Sequence, residues 1–346
     1  MTTVHTPAPS AAPSFAAPAA PRLVRWLLRL HRPALIVWAV LVVVGAAVLL
    51  WLRGPLTDAA ATAWQQYDRC TGAGPCGYDQ AAIIRYKDVY SWSTSALFAL
   101  PFVVAAWAGA SLIGRELESG TAQLAWTQGA SPARWLAAKL AVPAALITAG
   151  TGLLVVLHRL AWSAAEGRID TAKSWYDTWT YATNGPVLVA LALAGLAVGA
   201  LAGLLQRLAL PALAASFVVT GALWDALAWV LPYLWPPVTR TSSLTAGPAG
   251  SGIDVDHGLV TAGGAHTAVP DCGTDIGGYQ GCPAAYDKLH AVGFYHRFHP
   301  ESHFWPLQLV EAGLLLAVAA LLVLATFRLL RHRTAAVGRL GRRPAA

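Results

Sequence analysis

The chain has 346 residues, of which 56% are hydrophobic and only 12% are charged, whereas globular domains carry about 25% charged residues. This composition excludes a disordered chain and argues against an ordinary soluble domain. The 31 glycines and 22 prolines follow no fixed period, which excludes collagen-like and repeat folds. The net charge of +7 would indicate nucleic acid or an anionic surface for a soluble protein, but with so few charges their positions matter more than their sum.

The N-terminal region divides into two segments. Residues 1–21 are mostly Ala, Pro, Ser and Thr with little to bury, so we predict a disordered tail. In residues 22–33 four arginines recur at helical spacing and leucines occupy another face, which predicts an amphipathic helix along the inner leaflet. We expect anionic inner-leaflet lipid as its partner. The same arginines also act as a positive flank that fixes topology, and the two roles are compatible.

Six apolar segments are each long enough to cross a bilayer as helices, which takes about 20 residues. They cover 34–52, 94–113, 138–157, 186–205, 208–231 and 306–327. A buried helix of a soluble protein rarely runs this long without a polar face. The sequence therefore predicts an all-α membrane protein whose six transmembrane helices form one domain over 34–327.

Lysine and arginine near the span ends give the orientation, because inner loops of membrane proteins are enriched in these residues. With the N-terminus inside, the inner segments hold fourteen bases and two acids, giving +12, while the outer segments give −3. We therefore predict a multi-pass plasma-membrane protein with both termini cytoplasmic. The outer loops are then 53–93, 158–185 and 232–305, the inner loop is 114–137, and a basic inner tail covers 328–346.

All four cysteines fall in predicted outer loops, where disulfides persist. They are Cys70, Cys76, Cys272 and Cys282. Four cysteines allow three pairings, of which pairing within each loop is the simplest, and a bond between the two loops remains open. A zinc site is the alternative, but neither local spacing matches the usual zinc knuckle.

The outer segment 232–305 is too long for a plain connection, so we expect part of it to fold. Four histidines stand near its end, at His290, His296, His299 and His303. We interpret them as solvated loop side chains and predict no metal site, because Pro300 interrupts their spacing and no ligand motif is complete.

The predicted spans contain few ionisable side chains. In the fourth span Gly195, Gly199 and Gly203 form a small-residue stripe that lets two helices approach closely, either within the chain or in a dimer. Asp225 and Glu311 each lie about 8–9 Å below the outer boundary, where an acid lines an outer vestibule, reaches the interface or bonds to a neighbouring helix. With two isolated acids and no histidine in the predicted spans, an intramembrane enzyme is disfavoured.

The inner loop contains clear signals for the beginnings and ends of helices. Gly120 is a natural helix C-cap, Thr121 can cap a short helix that Gly129 ends, and Ser131 followed by Pro132 starts the third span. The product is a helix of about eight residues, roughly 12 Å long, across the inner mouth of the bundle. It presents Leu124 and Trp126 and follows the only inner acids, Glu116 and Glu118.

Two stretches resemble the membrane subunit of ABC-type exporters of the second class, of the kind common in high-GC Gram-positive bacteria. The first is Arg115-Glu116-x-Glu118-x-Gly120-Thr121 with Leu124, Trp126-Thr127-Gln128, Arg134-Trp135-Leu136 and Lys139-Leu140. The second is Phe304-Trp305-Pro306-x-Gln308-x-x-Glu311 at the start of the last span. The six-span plan, the leading interfacial helix and the large fifth loop fit the same family.

The resemblance implies a separate ATPase subunit that holds ATP and Mg and receives the short inner helix, and a dimer of permeases that rocks to open the path outward. The residues it assigns to coupling are Arg115, Glu116, Glu118, Gly120, Thr121, Leu124, Trp126, Gln128 and Arg134. A solvated acidic turn is the alternative for the two glutamates. The chain has no GxxxxGK[ST] motif, so we expect no enzymatic activity and no cofactor on it.

We therefore predict the permease subunit of an ATP-driven exporter, with no nucleic-acid partner. The alternative is a non-transporting membrane binding or immunity protein whose outer loop captures a ligand. Such a protein would not need a coupling helix, so the short helix predicted in the inner loop counts against it.

Overall fold

The computed structural model describes residues 28–29, 31–70, 77–127, 131–270 and 283–340, with side chains through residue 334. Within these residues six helices are long and apolar enough to cross a membrane, which confirms the predicted six-span plan. We call them the first to sixth spans, over Arg32–Asp68, Gln80–Glu118, Pro132–Ala165, Pro186–Gln206, Ala209–Tyr233 and Glu301–Thr334. The tail 1–21 and most of the amphipathic segment 22–33 lie outside the described residues.

The helices extend far beyond the apolar segments. The first is α-helical over Arg32–Trp51, passes through a π-helical turn at Leu52–Leu56 and continues over Thr57–Asp68. The second begins at Gln80, where the Asp79 carboxylate accepts a hydrogen bond from the Ala82 N–H at 3.1 Å. Much of segment 53–93 is thus helical rather than loop, because its alanine-rich polar sequence forms helix well but lacks the hydropathy that marks a span.

The fourth span lies at the centre of the bundle. Of its most apolar stretch 78% is buried, against 11% for the first span and 17% for the fifth. Its glycine stripe contacts the second span of the same chain, where a Cβ atom at Gly199 would lie 2.7 Å from Ala108 Cβ and 2.8 Å from the Gly109 nitrogen. There the second span widens into a π-helical segment, Ala108–Gly114. A widened turn of this kind is frequent at functional sites.

Part of segment 232–305 folds, as expected, and it does so as a four-stranded antiparallel sheet of order β1-β4-β2-β3. The strands are β1 (Val238–Ser243), β2 (Ile253–Thr261), β3 (His266–Thr267) and β4 (Ala291–His299). A short helix, Pro283–Lys288, packs Tyr286 against Leu259 and Phe294. Strand β4 leads through a 3₁₀ turn, Glu301–His303, into the helix Phe304–Leu340.

The structure describes one of the four histidines as buried and one of the four cysteines as bonded. His299 is fully buried, so its interpretation as a solvated loop residue is wrong. Its Nε2 lies 3.1 Å from the Pro232 carbonyl oxygen, and burial lowers the pKa of His299. Cys70 is disulfide-bonded. The other three cysteines lie outside the described residues, so the pairing stays a prediction.

Candidate functional site: the loop between the second and third spans

The helices of the loop begin and end where the sequence predicts, with one exception. Gly120, at φ +73°, ends the second span in the left-handed conformation that glycine adopts without strain. The Ser131 hydroxyl accepts the Arg134 N–H at 3.3 Å, and Pro132 begins the third span. The loop helix covers Thr121–Thr127. Gln128 and Gly129 lie outside the described residues.

The exception is Thr121, which lies inside the loop helix rather than at its cap. The carbonyl of Gly120 accepts the N–H groups of Gln123 and Leu124 at 3.1 and 3.3 Å, which places Gly120 at the capping position. The Thr121 hydroxyl instead donates to the Glu116 carbonyl oxygen at 3.3 Å. It therefore ties the loop helix back to the end of the second span.

Glu116 joins the loop to the third span through a buried ion pair. Its carboxylate accepts a short hydrogen bond from the Lys139 ammonium, whose side chain is fully buried. Lys139 also donates to the Leu112 carbonyl oxygen at 3.0 Å and lies 3.4 Å from His31 Nε2. Burial and the Lys139 charge lower the pKa of His31 to about 4, so His31 is neutral at pH 7 and can accept from the ammonium. Glu116 is thus engaged within the chain.

Glu118 joins the loop to the fifth span. Its carboxylate accepts the N–H of Ala209, the first residue of that span, at 3.0 Å. The first N–H groups of a helix have no partner within the helix, and a negative charge near them is favourable. Glu118 is exposed to solvent and also serves as a cap for the neighbouring helix.

The loop helix packs against the bundle on one face and leaves the other exposed. Ala122 is fully buried, and Trp126, which the sequence predicts to be presented, is half-buried with its ring 5.7 Å from that of Trp135. Trp126 is therefore only partly exposed, because it lies about one helical turn after the buried Ala122 and so falls on the same inward face. Leu124, on the opposite face, is 60% exposed.

These contacts join the described part of the loop to three spans at once. It continues the second span covalently, is bound to the third through Lys139 and Trp135, and is bound to the fifth through Ala209. Force applied to the exposed face of the loop helix would therefore act on all three.

A family model described as ABC-2 membrane transporter related matches residues 39–231, which is more than half of the chain. The chain belongs to this family. The match includes most of the first span, the complete second to fourth spans and the loop, and it stops before strand β1. Neither the comparison with curated proteins nor that with solved structures gave a match. The protein is thus a membrane permease of an ABC transporter, and permeases of this family normally work with an ATPase subunit.

Asp225 and Glu311, the acids of the predicted apolar segments, lie in different environments in this permease. Glu311 is 1% exposed, and its carboxylate accepts the Tyr181 hydroxyl at 2.6 Å. The neighbouring Gln308 donates to the Tyr181 carbonyl oxygen at 2.8 Å and accepts the Val187 N–H at 3.2 Å. Glu311 is therefore part of an interior network and bonds to a neighbouring helix, which is one of the alternatives left open for it by the sequence. Asp225 lies on an exposed face of the fifth span.

The structure also contains a buried histidine just beyond the predicted end of the third apolar segment. His158 is fully buried in the permease because the third span continues to Ala165. Its ring nitrogens lie 2.8 Å from the Thr94 hydroxyl and 2.6 Å from the Asn184 side-chain oxygen. The helix-forming sequence beyond residue 157 is the feature from which this longer helix could have been predicted. With both nitrogens paired, His158 connects the second and third spans to the segment that contains Asn184.

Proposed function

We propose that this permease belongs to an ATP-driven exporter in the plasma membrane, with cytoplasmic termini, and that a separate ATPase carrying ATP and Mg docks on the loop helix. The observation that carries the proposal is a loop helix fixed to the third and fifth spans whose outward face stays exposed. A loop that only connected two spans would not need ties to a third.

The docking surface consists of an apolar residue with polar neighbours. Leu124 is 60% exposed at an end of the molecule that lies outside the apolar part of the spans, and Gln123 and Thr127 of the same helix are also exposed. Interfaces combine an apolar centre with a polar rim in this way. Glu116 holds the loop in place, so we assign it positioning rather than contact with the ATPase.

Movement of the loop helix is transmitted to the other spans through the π-helical segment of the second span. We call this route the path of force. This segment contacts the fourth span at Gly199 and Gly203. On its other side a Cβ atom at Gly109 would lie 2.8 Å from the Ala212 carbonyl oxygen of the fifth span. Because backbones meet directly at these points, movement of the second span displaces both neighbours rather than being absorbed by flexible side chains.

We expect Leu124→Arg to lower co-purification of the proposed ATPase subunit by about tenfold, because one apolar anchor of modest energy is lost from the interface. Leu289→Arg, an exposed leucine beside the sheet at the other end of the molecule, is the matched control and should leave co-purification unchanged. Both proteins are co-expressed, purified through the permease and quantified by gel and ATPase assay. Equal recovery with both variants would refute docking at the loop helix, and a non-transporting binding protein would recover no ATPase at all.

We further propose that the permease is a dimer whose partner covers the exposed face of the fifth span. Val218, Asp225 and Trp229 fall on one side of this helix, and Val218 and Trp229 are 66% and 83% exposed. Asp225 is exposed about 8 Å from the end of the helix at Val230. An ionisable side chain at such depth almost always faces protein or a water-filled cavity rather than lipid. A second copy, with a path between the two, meets this requirement.

The dimer is tested by a photo-reactive amino acid, p-benzoylphenylalanine, placed at Trp229 in the full chain in membranes. We expect a covalent product of twice the chain mass. The matched control is the same probe at Leu321, which is 66% exposed on the sixth span. Absence of the product from position 229, or an equal yield from position 321, would contradict a dimer through the fifth span.

A further inference from the structure

A cavity of about 310 Å³ lies between the first, second and third spans. Its walls are aliphatic and aromatic except for two groups at one end, His31 and Lys139. The apolar walls include Trp38, Leu41, Val104, Trp107, Val142 and Leu146. Cavities with such walls exclude water, because a buried water needs two or more polar partners.

The cavity opens sideways toward the membrane. Val37 of the first span and Val103 of the second both line it, and they are 66% and 58% exposed. Both lie within spans, so their exposed surfaces meet the hydrocarbon of the bilayer. The cavity is therefore a groove that a lipid reaches from the side, and we call it the lateral groove.

The lateral groove matches one leaflet in length and polarity. From His31 to Leu41 it follows ten residues of helix, about 15 Å, and half of a hydrocarbon core about 30 Å thick is the same length. Its polar end carries net positive charge, because Lys139 is neutralised by Glu116 while Arg29 and Arg32, which flank His31 in the chain, are exposed. Arginine binds phosphate well through its planar fork of donors.

We propose that the lateral groove binds one acyl chain of an anionic phospholipid from the predicted inner leaflet, with the phosphate at Arg29 and Arg32. An acyl chain supplies the dispersion contacts that an empty groove lacks. It also occupies the space behind Lys139, so the bound lipid supports the ion pair that holds the loop. The inference does not depend on coupling to an ATPase.

The test uses the purified full chain in vesicles of phosphatidylcholine and phosphatidylglycerol, with a phosphatidylglycerol probe that carries a diazirine on its acyl chain. After illumination, labelled peptides are mapped by mass spectrometry. We expect labelling concentrated on the walls of the lateral groove. Val103→Trp and Ala34→Phe, on different walls, should each lower it about tenfold, because loss of about two buried methylene groups already corresponds to that factor.

The matched control is Val43→Trp, since Val43 is 67% exposed on the first span outside the groove and should leave groove labelling unchanged. For the headgroup, Arg32→Gln should lower phosphatidylglycerol labelling, whereas Arg328→Gln, an exposed arginine of the sixth span, should not. Groove labelling no stronger than that around Val43, or unchanged in both filled variants, would overturn the site. Equal labelling by a phosphatidylcholine probe would overturn the assignment of an anionic headgroup.

Discussion

Glu116→Ala is expected to destabilise the permease by about 3–5 kcal/mol, the range for removing one partner of a buried ion pair. The side chain of Lys139 is fully buried, so without Glu116 its ammonium retains only the Leu112 carbonyl oxygen and the His31 nitrogen. The measurement is the melting temperature of the purified protein in detergent, followed by intrinsic tryptophan fluorescence. We expect a fall of many degrees together with loss of the rigid loop.

The matched control is Asp58→Ala, which removes the acid of an exposed ion pair with Arg168 at 2.8 Å. Exposed pairs contribute about 0–1 kcal/mol, so the melting temperature should barely change. A second arm, Glu116→Ala with Lys139→Met, removes both charges and should recover much of the lost stability. If Glu116→Ala behaves like Asp58→Ala, the ion pair does not hold the loop.

The sequence predicted the parts of the fold that depend on local chemistry. Hydropathy located six spans because a helix in lipid must be apolar along its length, and Gly120 and Ser131 marked the ends of helices because their capping chemistry is local. Hydropathy also set the predicted ends too early, since a helix that continues into a polar region keeps its hydrogen bonds but loses its apolar signal. This is why His158 was counted as a loop residue.

The position of the loop could be predicted from the sequence, but the bonds it makes could not. The run from Arg115 to Lys139 indicated where the loop lies, yet nothing in it shows that Glu118 reaches Ala209, 91 residues further along the chain. Pairings of this kind depend on the packing of the fifth span beside the second. The same holds for Glu311 and Tyr181, whose contact exists only because the bundle brings residues 130 positions apart together.

Gly199→Leu is the second substitution for which we expect a large effect. A Cβ atom there would lie 2.7 Å from Ala108 Cβ and 2.8 Å from the Gly109 nitrogen, and real Cβ atoms essentially never approach so closely. Forcing extra carbon atoms into a packed interior costs about 1–3 kcal/mol, and more where backbone must move. Because backbone atoms face this position on the second span, the two helices must separate. We expect low yield of folded permease, measured by size-exclusion chromatography of a fluorescent fusion.

The control separates close packing from a general intolerance of larger residues in the spans. Gly313 of the sixth span has nothing within 4 Å of its Cβ position, so Gly313→Leu adds no clash. Leucine forms helix better than glycine by up to about 1 kcal/mol, so Gly313→Leu should be neutral or slightly stabilising while Gly199→Leu destabilises. The graded variant Gly199→Ala should lie between them. If Gly199→Leu and Gly313→Leu fold equally well, the second and fourth spans are not in backbone contact, and the path of force proposed through them is wrong.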